Sequence, residues 1–182
     1  PGCMDSMVNK YTAARRLRSE DAYSPDGRHD MRPEYPTIVY TQILRQLYPD
    51  VPVVLGGIEA SLRRVMHFDY WQERFRPSIL VDSNADMITY GMGEKPTIEL
   101  CRRLTDALEE SHPSLYYDEN GYSYITRDTF RQVAQLQNEI PQTVSLYDHS
   151  HIPGGIREDD IVLHSYEKCL KEPRLHADNF RH

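Results

Sequence analysis

The most regular pattern of apolar and polar positions lies in residues 36–110, where helix-like stretches alternate with short apolar runs. Pro36 opens a stretch whose apolar residues recur every four positions, and the apolar run 51–55 follows at once. Residues 86–90 form a second such run, followed by a helical stripe that ends near Glu110. Short apolar runs between helices are typical of parallel strands buried on both faces. The pattern therefore predicts an open α/β sheet with flanking helices.

The remaining segments predict smaller elements. Asn-Gly between two β-type runs is a strong hairpin signal, and Asp or Ser before an apolar stripe favours a helix start. Near the start, the sequence predicts a short helix capped by Asp5 or Ser6 and a loop over 19–35. In the middle, it predicts a hairpin around Asn120-Gly121, a helix over 129–137 and an edge strand over 143–146. At the end, it predicts a last helix capped by Asp159, with Leu163, Tyr166 and Leu170 on one face, and then a linker or strap over 173–182.

Glycines follow both predicted strands. Gly56 and Gly57 end the first, and Gly91 and Gly93 end the second. The carboxyl ends of parallel strands are where open α/β sheets bind ligands, and a following helix N-terminus favours an anion. Neither loop has the GxGxxG or GxxxxGK[ST] spacing, so no dinucleotide or triphosphate motif is present. The alternative is that these glycines simply let a helix pack closely on a strand.

Charged residues stand just beyond both loops. Glu59, Ser61, Arg63 and Arg64 follow the first loop, and Glu94 follows the second. On a helix, Glu59 and Arg63 would pair across one turn at the surface. The alternative is an arginine contact with an anionic ligand or a partner domain. Glu94 before a helix suits capping at least as well as catalysis.

A polar aromatic group follows at His67, Asp69, Tyr70 and Trp71. His67 and Asp69 could act as an acid–base pair, but a spacing of two fixes no such geometry. A hydrogen-bonded contact between domains is the favoured interpretation of these four residues.

Asp148, His149 and His151 invite a metal interpretation because His and Asp bind zinc. Other histidines lie at no recognised spacing, so the sequence favours no metal site here. His151 and Gly154 also match part of a D-x-H-x-x-G pattern that supplies an axial histidine in some cobalamin proteins. His149 occupies the position of its Asp, and the match is interpreted as coincidence.

Composition narrows the function classes further. The 182 residues carry a net charge of −7, with one basic cluster at 10–18, so generic nucleic-acid binding is not expected. Three distant cysteines suggest no disulfide framework and favour a reducing cytoplasm. No apolar run approaches membrane-spanning length. The chain starts at Pro1, and we expect it to be a fragment of a longer protein.

Six blocks occur in order within the first 110 residues. They are MDSMVN at 4–9, DAYSP at 21–25, LGGIEASLRR at 55–64, HFDYW at 67–71, SILVDS at 78–83 and YGMGE at 90–94. In these blocks the chain closely resembles the YgiQ-type family of uncharacterised radical S-adenosylmethionine (SAM) proteins. The resemblance is weaker from residue 111 to the end.

The resemblance implies a fold and a division of the chain. Residues 1–110 would form part of a Rossmann-like, cobalamin-binding-like parallel sheet with flanking helices, lacking its first strands. Residues 111–182 would form a small α+β extension with a hairpin, leading toward a radical SAM core outside this chain. The barrel of the same polypeptide would then be the partner of this region.

The resemblance also implies the cofactors of the full-length protein. A CxxxCxxC motif would hold a [4Fe–4S] cluster that cleaves SAM to a 5′-deoxyadenosyl radical, but these 182 residues contain no such motif. The chain would therefore be an accessory region without catalytic residues. It could shape a substrate or corrinoid site at Gly56-Gly57 and 91–94. Without a D-x-H-x-x-G histidine, cobalamin would bind without that ligand or not at all. The alternatives are a docking module and, less favoured, a self-contained nucleotide-binding enzyme.

Overall fold

A computed structural model describes residues 4–111, 116–117, 123–134, 140, 142–145 and 163–179. The helices in these ranges are α1 (Ser6–Lys10), α2 (Pro36–Leu47), α3 (Gly57–Leu62), α4 (Ile79–Ser83), α5 (Glu94–Ser111), α6 (Arg127–Ala134), α7 (Tyr166–Lys171) and α8 (Pro173–Asp178). The strands are β1 (Val54–Leu55), β2 (His67–Asp69), β3 (Arg74–Arg76), β4 (Met87–Thr89), β5 (Tyr116–Tyr117), β6 (Ser123–Tyr124) and β7 (Thr143–Ser145).

The main sheet has the strand order β1-β4-β7. β1 and β4 are parallel, with Leu55 opposite Ile88, which confirms the two parallel strands expected from the apolar runs. β7 pairs antiparallel with β4 and confirms the predicted edge strand. The fold class is therefore mixed α/β, with parallel and antiparallel pairs in one small sheet.

The central strand β4 is buried on both faces, as its continuous apolar sequence predicts. Ile88 faces β1, α3 and α4, whereas Met87 faces α5 and α6. The first core cluster contains Leu55, Ala60, Ile79, Leu80, Ala85 and Ile88. The second contains Met87, Leu100, Phe130 and Ile140. Helices thus cover both faces of the sheet and hold its strand ends in fixed positions.

Several smaller predictions are confirmed. The Asp5 carboxylate accepts hydrogen bonds from the Met7 and Val8 N–H groups, at 2.9 and 3.4 Å, and so caps α1. β5 and β6 pair antiparallel as the predicted hairpin. Its Asn120-Gly121 turn lies outside the described residues. The predicted division of the chain at residue 110 stays a prediction.

The C-terminal segment differs from the expectation. Leu163 precedes the helix α7, whose first turn is capped by Ser165 and not by Asp159, which lies outside the described residues. Residues 173–178 form the helix α8 where a linker or strap was predicted. Pro173 occupies the first turn of α8, where a missing N–H costs nothing, so it suits the start of a helix.

Two further differences concern α4 and α2. The run 78–82 was too short to assign, yet Ser78 caps α4 by accepting a hydrogen bond from the Leu80 N–H. The predicted helix α2 exists, but Leu47 from its apolar stripe is 64% exposed while Thr41 is buried. Within the described ranges, no helix is long and apolar enough to span a bilayer.

Candidate interface at the strand ends

The carboxyl ends of β1 and β4 lie together, as the parallel pairing predicts. The Gly91 N–H donates a hydrogen bond to Ser61 Oγ at 3.2 Å, and Ser61 Oγ donates to the Gly57 carbonyl at 2.8 Å. Between the loops, Thr89 Oγ1 donates to the Leu55 carbonyl at 3.4 Å. We call residues 56–57, 61, 64, 89–94 the strand-end site. The Ser61 and Thr89 hydroxyls thus bond to backbone groups of this site and of β1.

Two of the four candidate glycines are required by the fold itself, and a third is tightly packed. Gly57 and Gly91 have φ values of +87° and +70°, which L-residues rarely adopt. A Cβ on Gly56 would lie 3.3 Å from Thr89 Oγ1, closer than ordinary van der Waals contact. Gly93 differs, because a Cβ there would sit 3.8 Å from the same atom at an ordinary φ. A role beyond packing is therefore tested most clearly at Gly93.

The adjacent arginines Arg63 and Arg64 have different environments. Arg64 lies at the rim of the strand-end site, where its guanidinium stacks 4.7 Å from the Tyr90 ring centre and Nη1 donates to the Ser61 carbonyl at 2.5 Å. Glu94 is exposed and begins α5, where a carboxylate favours the helix dipole. Arg64 and Glu94 are thus the predicted charged residues that face outward at this site.

Arg63 instead belongs to a buried ionic network. It pairs with Glu59 at 3.4 Å, as helical spacing predicts, and with Asp5 at 2.9 Å. Thr37 Oγ1 donates to the other Glu59 oxygen at 2.9 Å. The predicted pair exists, but its placement at the surface was wrong, because both side chains are about nine-tenths buried. The reason is that Asp5, distant in sequence, supplies a second carboxylate and joins α1 to α3.

His67 and Asp69 lie on β2 and serve the local structure of the hairpin β2–β3. Asp69 Oδ1 accepts hydrogen bonds from the Trp71 and Gln72 N–H groups, both at 2.9 Å. Burial alone would raise the pKa of Asp69, but these N–H donors, together with the Tyr35 hydroxyl and the Arg63 charge, outweigh it and hold the pKa below its ordinary value. Burial lowers the pKa of His67 and so favours its neutral form.

Tyr70 and Trp71 pack edge to face at the turn of this hairpin, with ring centres 5.5 Å apart. The Tyr70 hydroxyl donates to the Ala13 carbonyl at 2.8 Å, and the Arg15 guanidinium lies 4.6 Å from the Tyr70 ring centre. Tyr70 nevertheless stays exposed. The role of these residues in a contact between domains stays a prediction.

The opposite, amino end of β4 holds a buried ion cluster that sequence patterns did not reveal. Asp86 is 1% exposed and pairs with Arg45 from α2 and with Arg127 from α6, the latter at 2.8 Å. Its Oδ2 also accepts a hydrogen bond from the Val53 N–H at 2.7 Å. Asp86 therefore ties both helix layers to β1 at the end of the sheet away from the strand-end site.

Three large apolar side chains close in sequence to the strand-end loops are exposed. Leu62 is 62% exposed, Met92 is 73% exposed and Ile98 is 69% exposed. Leu62 follows Ser61 and Met92 follows Gly91, the two residues that a hydrogen bond of 3.2 Å joins. We call these three residues the apolar rim. Contiguous exposed apolar groups mark contact surfaces more often than free surface.

The described residues do not fit an iron–sulfur cluster. They contain no group of three or more His, Cys, Asp or Glu side chains placed to hold a metal. Cys101 is exposed on α5, and Cys169 is buried on α7. Asp148, His149 and His151 lie outside the described residues.

Comparison with known proteins decides the family. The model of the Radical SAM N-terminal family matches residues 1–182. This chain belongs to that family. It is also similar to UPF0313 proteins, among them UPF0313 protein YgiQ. The resemblance to the YgiQ-type family that the six sequence blocks indicated is therefore confirmed. No solved structure matches the chain.

The relatives are much longer than this chain. A UPF0313 protein of Bacteroides thetaiotaomicron is 53% identical over 181 residues, which is 100% of this chain and 27% of the relative. One from Porphyromonas gingivalis is 50% identical over 180 residues, or 99% of this chain and 24% of the relative. UPF0313 protein YgiQ of Escherichia coli is 57% identical over 103 residues, which is 57% of this chain and 14% of the relative.

Sequence reasoning missed Thr89, Tyr90 and Asp86. Thr89 is a polar residue at the last position of a buried strand, and this pattern indicates a side chain that bonds near the strand-end loops. Asp86 at the first position of the same run was another, since a charge beside a fully apolar strand needs a buried partner. The partners themselves carry no local signal, because Arg45 and Arg127 are each 41 residues away.

Proposed function

We propose that this chain is an accessory region of a radical SAM enzyme and that it packs on the catalytic barrel through the strand-end site and its apolar rim. The observation that carries the proposal is the contrast at this end of the sheet. The Ser61 hydroxyl and the Gly91 N–H form hydrogen bonds within the chain, while Leu62, Met92 and Ile98 are largely exposed. Burying such side chains would contribute about 1.5–3 kcal/mol each.

The barrel and its cofactors would lie elsewhere in a longer polypeptide. Membership of a radical SAM family and the length of the relatives support this. The implied [4Fe–4S] cluster and SAM belong to that core, because the cysteines at 3, 101 and 169 cannot form a CxxxCxxC motif. No reaction step is therefore assigned to this chain, and a cytoplasmic location is proposed from the same family membership.

The finer fold assignment is also a proposal. The parallel pair β1–β4, with glycine loops at both carboxyl ends, supports a Rossmann-like, cobalamin-binding-like sheet. The strand-end site would then border a substrate or a corrinoid. A corrinoid would bind there without an axial histidine from these loops, because the strand-end site contains none.

The test uses charged substitutions in the full-length protein. Leu62→Glu and Met92→Glu should lower reductive cleavage of SAM at least about tenfold, since each would place a charge in a buried contact. Leu47→Glu is the matched control, because Leu47 is 64% exposed at the other end of the sheet. It should stay within about twofold of the wild type. Equal activity in all three variants, with equal thermal stability, would refute the proposed contact.

Docking without any effect on the active site is the second candidate. The exposed Phe68 and Tyr70 on the hairpin β2–β3 favour it, because they offer a second set of exposed aromatic side chains for a contact. Titration of the full-length protein with cobalamin, followed by corrin absorbance, separates a corrinoid site from pure docking. Docking alone is expected if no cobalamin binds and Met92→Glu increases proteolysis between the regions without changing SAM cleavage.

A further inference from the structure

Within the described part of the chain, β1 is an outer strand of the main sheet, because the strand order is β1-β4-β7. The Val53 carbonyl accepts a hydrogen bond from the Asp86 N–H at 2.9 Å. The Leu55 carbonyl accepts one from Thr89 Oγ1 at 3.4 Å. Backbone groups of successive strand residues point to alternate sides, so the N–H and carbonyl of Val54 point away from β4. An outer edge of this kind is a template for a further strand.

The side chains beside this edge are only partly covered. Val54 lies opposite Met87, which is fully buried beneath α5 and α6. Val54 itself is 40% exposed. Tyr40 on α2 and Ile58 on α3 are 48% and 43% exposed. The helices thus cover the inner strand β4 more completely than the outer strand β1, as expected if β1 has another neighbour in the full-length protein.

The start of the described chain lies at the carboxyl end of β1. Met4 and Tyr40 line the same cavity as Gly56, the residue that follows β1. A segment that leads into Met4 therefore arrives at the carboxyl end of β1. If that segment lies along the open edge, it runs in the same direction as β1, as β4 does.

The position of α2 supports a parallel strand at this edge. Ile38 of α2 packs against the core cluster that contains Ala60 of α3, so both helices lie on the same face of the sheet. Parallel strands are joined by right-handed crossovers in nearly all proteins. Two crossovers that step across a sheet in one direction therefore place their helices on one face. A strand at the open edge, followed by α2 and β1 and then by α3 and β4, satisfies this rule.

We infer that the polypeptide preceding residue 1 in the full-length protein adds a strand to the open edge of β1, parallel to it. We call this the upstream strand. Main-chain hydrogen bonds to Val54 would hold it, and its side chains would cover those of Val54 and Tyr40. Because it would be buried in a parallel sheet, its sequence should be apolar along its whole length.

The relatives contain enough chain for such a strand. The matched region is 27% of the Bacteroides thetaiotaomicron protein and 24% of the Porphyromonas gingivalis protein. The inference rests on the edge of β1 and on the position of Met4, and none of the apolar rim takes part in it. It is therefore independent of the proposed barrel contact.

The first experiment measures amide hydrogen exchange in the full-length protein, residue by residue, by mass spectrometry with electron-transfer fragmentation. The Leu55 N–H is the internal control, because it faces β4 whether or not the edge is closed. If the upstream strand pairs with β1, the Val54 N–H should exchange within about tenfold of the Leu55 rate. Faster exchange of Val54 than this would show an open edge and would overturn the inference.

The second experiment identifies the segment that closes the edge. The photo-cross-linker p-benzoylphenylalanine replaces Tyr40 in the full-length protein, and cross-linked peptides are sequenced by mass spectrometry. We expect peptides from before residue 1 of the same molecule. Cross-links only to residues after 182, only to a second isotope-labelled copy, or to nothing would refute the upstream strand. The same group in place of Ile98 is the control, because Ile98 belongs to the apolar rim and reports on the barrel contact instead. The two proposals can therefore fail separately.

Discussion

The two ends of the β1–β4 strand pair differ in how they satisfy their polar groups. At the amino end, Asp86 is buried between Arg45 and Arg127, which belong to helices on opposite faces of the sheet. At the carboxyl end, Ser61 and Thr89 bond to loop backbone, and large apolar residues remain exposed around them. The charges at the amino end are therefore paired within this chain, whereas the carboxyl end leaves large apolar side chains exposed.

This difference separates residues that hold the fold from residues available for contact. Charges at the amino end are desolvated and must all be present, because removal of one leaves others uncompensated. The carboxyl end needs small residues and particular backbone angles, but it leaves its rim free to vary in polarity without affecting the fold. Substitutions at the two ends should consequently alter different measurements.

The largest effect is expected at the amino end. Asp86→Asn would leave Arg45 and Arg127, whose side chains are 9% and 23% exposed, without their buried carboxylate. It should lower the free energy of unfolding by about 3 kcal/mol. Urea titration followed by circular dichroism measures it. A loss below about 1 kcal/mol would show that the arginines find other partners, and the contrast between the ends would fail.

A smaller effect is expected from the backbone at the carboxyl end. Gly57→Ala forces an alanine to φ +87° and should cost about 1–2 kcal/mol. Gly93→Ala is the control, because its Cβ has room and should change stability by less than about 0.5 kcal/mol. If Gly93→Ala is stable yet lowers activity of the full-length protein, close approach of a ligand or partner at Gly93 is supported. Equal destabilisation by both would contradict the geometry.

The smallest effect is expected from His67, which lies at neither end and responds to pH. Burial lowers its pKa from the ordinary value of 6.5, and the nearby Arg63 and Arg76 act in the same direction, while Asp69 opposes them. The unfolded chain therefore binds the proton more tightly, and stability should fall as pH drops below about 6.5. His67→Gln should flatten this part of the profile of urea midpoint against pH. An unchanged slope would show that another group causes it.

Much of the sheet could be predicted because its signals are local. The runs 51–55 and 86–90 are apolar, and the glycines after them mark the strand ends, so β1, β4 and their parallel pairing followed from general rules. α4 could not be assigned, because five residues are too short for periodicity and its capping by Ser78 shows only in the structure. The exposure of the apolar residues on α2 depends on which other elements pack against them, and the local sequence does not show this.

The candidate site was predictable in place but not in detail. Glycine spacing located the loops, yet only backbone angles show that Gly57 and Gly91 are required by the fold while Gly93 is not. Helical spacing paired Glu59 with Arg63, but their burial comes from Asp5, more than fifty residues earlier. Contacts of that sequence separation leave no periodic trace in the chain.

Oxidation of native methionines in the full-length protein tests the central claim most directly. Met92 is 73% exposed and Met31 is 59% exposed, so free surfaces would make Met92 at least as reactive toward hydrogen peroxide. If the strand-end site packs on the rest of the polypeptide, Met92 should form sulfoxide at least about tenfold more slowly than Met31, as read by peptide mass spectrometry. Oxidation of Met92 as fast as Met31 would show that this end of the sheet is open and would contradict the proposed contact.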